Sequence, residues 1–193
     1  MKDYSLHLLD ILENPVKAGA TKVILTISHS GNLLTFLVKD NGSGLMPKIS
    51  ADPADPFATT RKERKVGMGL SLLKMAAEQT GGSFMIGNLK DGGTRVEVVF
   101  DISHIDAKPM GDLPQAIATA VMSWPAVDFL VRVGNDNRII IDTAAINAEL
   151  DGIPLGNPRV QHFLVKQLKC QFQELFQWVN QVSISTTMES ETN

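Results

Sequence analysis

Three groups of residues in this chain have the types and spacing to do chemistry. The first is Asp40-Asn41-Gly42-Ser43-Gly44-Leu45, which follows the apolar run Leu33-Leu34-Thr35-Phe36-Leu37-Val38. A carboxylate at a strand end, then two glycines alternating with small polar residues, forms a tight turn whose backbone can approach a ligand closely. Asn-Gly also occurs in ordinary hairpin turns, so this stretch alone does not decide between binding and turning. The second group is Gly67-Met68-Gly69, just ahead of a helical pattern set by Leu70, Leu72, Leu73, Met75 and Ala76. Glycines at a helix start leave backbone N–H groups free to face an anion, assisted by the helix dipole. A basic run, Arg61-Lys62-Glu63-Arg64-Lys65, precedes them. The third group, Asp10 and Asn14, projects from the first helix opposite Leu12, where a solvated polar face is the commonplace explanation.

The elements that must position these groups follow from periodicity. Leu8, Leu9, Leu12 and Val16 predict a helix over residues 4–18, with His7 near its polar face and Glu13 at the edge. Pro15 deletes a backbone donor and crowds the carbonyl of Ile11, which predicts a kink or an early helix end near Asn14. Gly19 should close the helix. Thr21 to Ser28 reads as a strand, turned by Ser30-Gly31-Asn32 into the strand that ends at Asp40. Residues 47–66, with Pro47, Pro53 and Pro56, show no regular element, and so long a loop usually has a function. A helix then runs toward Gly81-Gly82, and two strands, Ser83 to Asn88 and Thr94 to Asp101, flank Lys90-Asp91-Gly92-Gly93.

After a connector over 103–109, a helix is expected from Leu113 to Ser123. Strands over 128–133 and 138–141 flank the turn Gly134-Asn135-Asp136-Asn137, and Asp142-Thr143 can cap a short helix to Leu150. Asn157-Pro158 is a cap followed by proline at the first helical position. One helix is expected from there to about Val179, with Val160, Leu164, Leu168, Phe172, Leu175 and Val179 as its apolar stripe and Trp178 equally suited to core or interface. The fold class is α+β: a two-layer α/β sandwich over residues 1–103, a smaller α/β region over 104–182, and a frayed polar tail over 183–193.

Composition narrows the options. The chain has 193 residues with 44 % hydrophobic content, enough to bury a core. A net charge of -3 argues against nucleic acid as the main partner. The single cysteine, Cys170, allows neither a disulfide framework nor a cysteine-rich zinc site. With no long apolar run, and with charge near the N-terminus where a signal peptide needs an apolar core, the expectation is a soluble cytoplasmic protein that does not engage a membrane.

Four separated pieces together resemble the GHKL ATPases, the superfamily of gyrase, heat-shock chaperone, histidine-kinase and mismatch-repair ATPases. The segment from Asp10 to Thr21 is similar to the helix motif, in its mismatch-repair version above all. Asp40-x-Gly42-x-Gly44 resembles the first glycine box. Pro56-Phe57-Ala58-Thr59-Thr60-Arg61, followed by Gly67-x-Gly69-Leu70-Ser71, resembles the phenylalanine box and second glycine box of histidine kinases, and Gly93-Thr94 the last box. The likeness covers about residues 5–101. It implies a histidine-kinase-like ATPase fold and the cofactors ATP and Mg²⁺. Asp40 would accept from the adenine amino group, with Thr94 assisting directly or through water, and Asn14 would hold Mg²⁺. Asp10, one turn before Asn14, would take the place of the Glu that activates water. The resemblance also assigns Lys17, Gly42, Gly44, Phe57, Thr60, Arg61, Lys65, Gly67, Met68, Gly69 and Leu70 to the nucleotide, with Arg61, Arg64 or Lys65 neutralising phosphate charge from the loop that forms the family's lid. Two departures bear on turnover. Asp10 is one methylene shorter than the family's Glu, with Glu13 a less well-placed substitute, and Pro15 directly follows the metal-binding Asn.

Within this sequence the nucleotide motifs begin by residue 10, so no phosphoacceptor hairpin is expected ahead of them, and the four histidines read as surface or packing residues. Three functions are compatible with the residues: an Mg²⁺-dependent ATP-binding module with slow hydrolysis, whose C-terminal region reports nucleotide state to an unidentified protein partner; a protein kinase acting in trans, similar to the anti-sigma-factor kinases; or a scaffold that keeps only the fold. The first is the expectation and the second the runner-up; the scaffold is the least expected, because Asp40, Asn14 and the glycines are all present. The oligomeric state is left open, a homodimer included.

Overall fold

A computed structural model of the chain describes residues 2–45 and 68–190. The elements run α1 (Tyr4–Lys17), β1 (Lys22–Ser30), β2 (Leu33–Asp40), α2 (Met68–Gln79), β3 (Ser83–Asn88), β4 (Thr94–Asp101), α3 (Leu113–Ser123), β5 (Asp128–Val133), β6 (Arg138–Asp142), α4 (Thr143–Glu149), α5 (Pro158–Gln171) and α6 (Gln173–Ser190). The six strands form one sheet in the order β3-β4-β2-β1-β5-β6. All neighbours are antiparallel except β1 and β5, whose parallel ladder aligns Lys22 with Asp128 and Ile27 with Val133. The C-terminal hairpin thus extends the N-terminal sheet.

Period-two alternation decides which face is buried. Val23, Leu25 and Ile27 of β1, Leu34, Phe36 and Val38 of β2, Val96, Val98 and Phe100 of β4, and Phe129, Val131 and Val133 of β5 are all buried. Helices α1 and α2 pack on that side, α3 packs on α1, and Leu8, Ile11, Leu12, Leu73, Ala77, Ile117 and Val121 complete a common core. The result is a two-layer α+β arrangement, with helices packed on the buried face of one sheet. No helix among the described residues is long and apolar enough to cross a membrane.

Four local expectations need correction. Helix α1 does not end early at Asn14; it carries Pro15 inside it and runs to Lys17. The donor that Pro15 lacks falls in the last turn, where Gly19 (φ +73°) closes the helix with Ala20 N–H bonding to Pro15 O and Gly19 N–H to Val16 O, both at 3.0 Å. His7 is not on the polar face but only 1 % exposed. The single helix expected from Pro158 is two, with Phe172 capping α5 and α6 following at once. Helix α6 then continues as helix to Ser190, into the stretch read as a frayed tail. Its Trp178 packs within the chain: the ring stacks on His29 with centroids 4.1 Å apart, and Nε1–H donates to Gly31 O at 2.9 Å.

Candidate functional site

Asp40 ends β2 opposite Val23, on the helix-covered side of the sheet, and is 7 % exposed. Its Oδ1 accepts from the N–H of Gly42 at 2.8 Å and of Thr94 at 3.3 Å. Burial pushes its pKa up, and those two N–H groups pull it partly back. Among the described residues Oδ2 has no partner. A carboxylate held by one oxygen and open at the other is a fixed acceptor, suited to a ligand that offers an N–H donor.

Three backbone segments converge on it. Gly93, at φ +86°, lies against the main chain of Asp40 so closely that a Cβ there would sit 1.9 Å from Asp40 O. Ser43 N–H donates to Ala18 O at 3.0 Å, and a Cβ on Gly42 would stand 3.0 Å from that same oxygen. The glycine turn after β2 therefore rests on the end of α1. Asn41 locks the corner: its Oδ1 accepts from Thr21 and Lys22 N–H at 2.9 Å each, and its Nδ2–H donates to Thr21 Oγ1 at 2.9 Å.

Helix α1 presents the second group. Asp3 caps it, accepting from Leu6 N–H at 2.9 Å, while the N–H groups of Tyr4 and Ser5 bond to Pro109 O and Met110 O at 3.0 and 3.1 Å. Asp10 is half-buried against the start of α2, where a Cβ on Gly69 would lie 2.9 Å from its Oδ2. Gly69 thus lets α2 approach the carboxylate. Burial raises the pKa of Asp10, Glu13 raises it further, and Lys17 opposes both. Asn14 is solvent-exposed, one turn beyond Asp10.

The structure thus brings Asp40, Gly42 and Thr94 into one cluster and Asp10 with Gly69 into another, with the C-terminal end of α1 joining them. Thr94 reaches Asp40 through its main-chain N–H. Leu70 packs at the edge of the core, and Met68 is the first residue of α2. Lys17 is exposed and ion-paired with Glu13 one turn earlier, which occupies both side chains with each other. Phe57, Thr60, Arg61, Arg64, Lys65 and Gly67 lie outside the described residues. Among the described residues no three His, Cys, Asp or Glu side chains cluster as a metal cage. An ion bound through Asn14 would take most of its ligands from water and phosphate, which suits Mg²⁺.

From the sequence, Asn41 is only part of the turn after Asp40, and Asn88 has no role at all. Asn88 ends β3, and its side-chain amide bonds to both backbone groups of Leu45, with Leu45 N–H to Oδ1 at 2.6 Å and Nδ2–H to Leu45 O at 3.3 Å. Its only signal in the sequence is an amide at a strand end before a turn, which is too common to select it.

Residues 5–104 match the family described as histidine kinase-, DNA gyrase B- and HSP90-like ATPase. Among curated proteins, the chain is 28 % identical over 104 residues to a putative NtrY-like sensor histidine kinase of Rickettsia conorii, covering 53 % of this chain and 17 % of that protein. It is 29 % identical over 101 residues to the C4-dicarboxylate transport sensor protein DctS of Rhodobacter capsulatus, covering 49 % and 15 %. The chain therefore spans about a sixth of the length of these relatives. Among solved structures it is similar to the MutL ATPase domain of Aquifex aeolicus complexed with ADP (TM-score 0.45, 17 % identity, 86 % of this chain and 70 % of that one). It is also similar to the mycobacterial sensor histidine kinase MprB (TM-score 0.40, 20 % identity, 54 % and 70 %).

Proposed function

This chain belongs to the histidine kinase-, DNA gyrase B- and HSP90-like ATPase family, and on that premise we propose that it binds ATP with Mg²⁺ at the Asp40 end of its sheet, hydrolyses it slowly, and passes the nucleotide state to a protein partner through its C-terminal region. The observation that carries the reading is Asp40: buried, pinned through Oδ1 by two main-chain N–H groups, with Oδ2 left for the adenine amino group. A fixed acceptor rejects guanine, whose O6 would face it with no proton to share.

Asn14 would hold Mg²⁺ through its side-chain oxygen, and the ion would supply charge neutralisation to the phosphates. Asp10 would accept the proton of the attacking water. Its raised pKa makes it a better proton acceptor than an ordinary Asp, and its packing against Gly69 fixes its orientation. The N–H groups at the start of α2 would receive phosphate oxygens.

Support for coupling lies in α1, which carries Asp10 and Asn14. Its first N–H groups are held by the connector carbonyls of Pro109 and Met110, and its flank packs on α3, which in turn meets α5. Movement of α1 on binding nucleotide would be felt along that path. A cytoplasmic location would provide the nucleotide. Titration calorimetry with ATP, ADP and GTP, with and without Mg²⁺, tests the reading: ATP and ADP should bind, GTP should not, and absence of any adenine-nucleotide binding would refute it. The likeness to sensor histidine kinases favours a second reading, phosphoryl transfer in trans to another protein. Transfer of labelled phosphate to a protein would distinguish the two.

A further inference from the structure

We propose that Asn88, at the end of the edge strand β3, is a positioning residue for the adenine pocket, clamping the glycine turn that follows Asp40. The inference rests on the nucleotide-binding reading above. The side-chain amide imitates one step of a β-ladder: Oδ1 accepts from Leu45 N–H at 2.6 Å and Nδ2–H donates to Leu45 O at 3.3 Å. A single side chain thereby ties a residue just beyond the turn to a strand end 43 positions along the chain.

The neighbouring backbone is shaped around this clamp. Gly44 takes φ +74°, and a Cβ there would lie 2.9 Å from Asn88 Oδ1 and 3.5 Å from Gly93 O. Gly44 is therefore glycine for two reasons, the left-handed backbone and the room that Asn88 occupies. On the other side, Asn88 pairs with Thr94, whose N–H holds Asp40, while Gly93 lies on the Asp40 main chain. Asn88 thus joins the two loops that flank the Asp40 carboxylate and sets the distance between them.

Asn88 itself is solvent-exposed. Exposed side-chain hydrogen bonds contribute little to global stability, because water replaces them when they break. The same bonds restrict a turn that must hold one shape to receive a ligand, and releasing it makes binding bear the cost of reordering it. Loss of Asn88 should therefore appear in nucleotide affinity and hardly at all in folding. A packing residue would behave the opposite way.

The test compares wild type, Asn88→Ala and Asn88→Asp by titration calorimetry with ATP·Mg²⁺ and by thermal unfolding without nucleotide. Asn88→Ala should weaken ATP binding about tenfold, one lost hydrogen-bond step of about 1.4 kcal/mol, with its unligated midpoint within about 2 °C of wild type. Asn88→Asp keeps the acceptor for the short Leu45 N–H bond but turns its second carboxylate oxygen toward Leu45 O, so it should bind ATP no more tightly than Asn88→Ala; wild-type affinity in this variant would overturn the two-bond clamp. Wild-type ATP affinity in Asn88→Ala overturns the proposal and leaves the nucleotide reading standing. So does an affinity loss in Asn88→Ala that tracks a lowered unligated midpoint. A wild-type protein that binds no adenine nucleotide removes the underlying reading and this proposal with it.

Discussion

Replacing Asp40 by Asn isolates the contact on which nucleotide recognition depends. The two side chains have nearly the same shape, so the consequence is set by which atom goes where. The N–H groups of Gly42 and Thr94, at 2.8 and 3.3 Å, demand an acceptor, and only the carboxamide oxygen can provide it. The NH₂ must then occupy the Oδ2 position and point a donor at the adenine amino group, itself a donor. One charge-assisted hydrogen bond is lost and one buried donor is left unpaired, together about 3 kcal/mol. That corresponds to a Kd for ATP about a hundredfold higher. The fold should not suffer, because both main-chain bonds survive. The burial that raises the pKa of Asp40 also means that removing its charge removes a desolvation penalty. The preference for ATP over GTP should narrow as well, since the new donor faces guanine O6. Calorimetry with both nucleotides, beside a thermal melt of the unligated variant, reads all three quantities. A folded Asp40→Asn variant with unchanged ATP affinity would refute the assignment of Asp40 as the base-reading group.

Other perturbations bear on separate links of the same chain of reasoning. Asp10→Ala should keep ATP affinity within about twofold while abolishing phosphate release; in wild type, the acid limb of the hydrolysis profile should lie above the pH 3.8 of an ordinary Asp, since burial raises this carboxyl. Gly93→Ala forces a side chain into φ +86° and a Cβ to 1.9 Å from Asp40 O, so it should lose about 3 kcal/mol of stability in urea unfolding; a loss below about 1 kcal/mol would show that the turn yields easily. His7 is pulled from 6.5 down to about 4, by burial first and by the charge of Lys108 next, with Asp3 opposing. The unfolded chain therefore takes up this proton before the folded one, and the contribution of His7 to stability is complete above about pH 6.5 and lost as pH falls through about 4, some 3 kcal/mol in all. Urea unfolding at pH 7 and pH 4 should show this drop in wild type and a smaller one in His7→Leu.

The sequence by itself determined the elements whose causes are local. Asn157-Pro158 starts α5, Asp142 caps α4, and the turn at Gly134 joins β5 to β6, because caps, proline and left-handed glycines act within a few residues of themselves. At the candidate site only the turn after Asp40 and the glycine pair before a helix could be picked out locally; the nucleotide roles of Asp40, Asn14 and the glycines came from the resemblance of separated motifs to the GHKL ATPases, not from periodicity. Tertiary structure alone decided matters set by partners far away in the chain. Nothing near β5 says that it will lie parallel to β1, about a hundred residues earlier, instead of forming a sheet of its own. His7 has a polar side chain at a polar-looking position, and is buried because Lys108 and the connector close over that flank of α1. The apolar stripe that reads as one helix is divided at Phe172, and the half-buried Trp178 of the second helix stacks on His29 of β1, a contact that periodicity cannot express. Asn88 is the clearest case, since an exposed amide at a strand end matters only when the backbone of Leu45 is brought beside it. Short-range propensity and capping act through neighbours in sequence; register, burial of polar groups and side-chain clamps act through neighbours in space, which come into being only when the chain has folded.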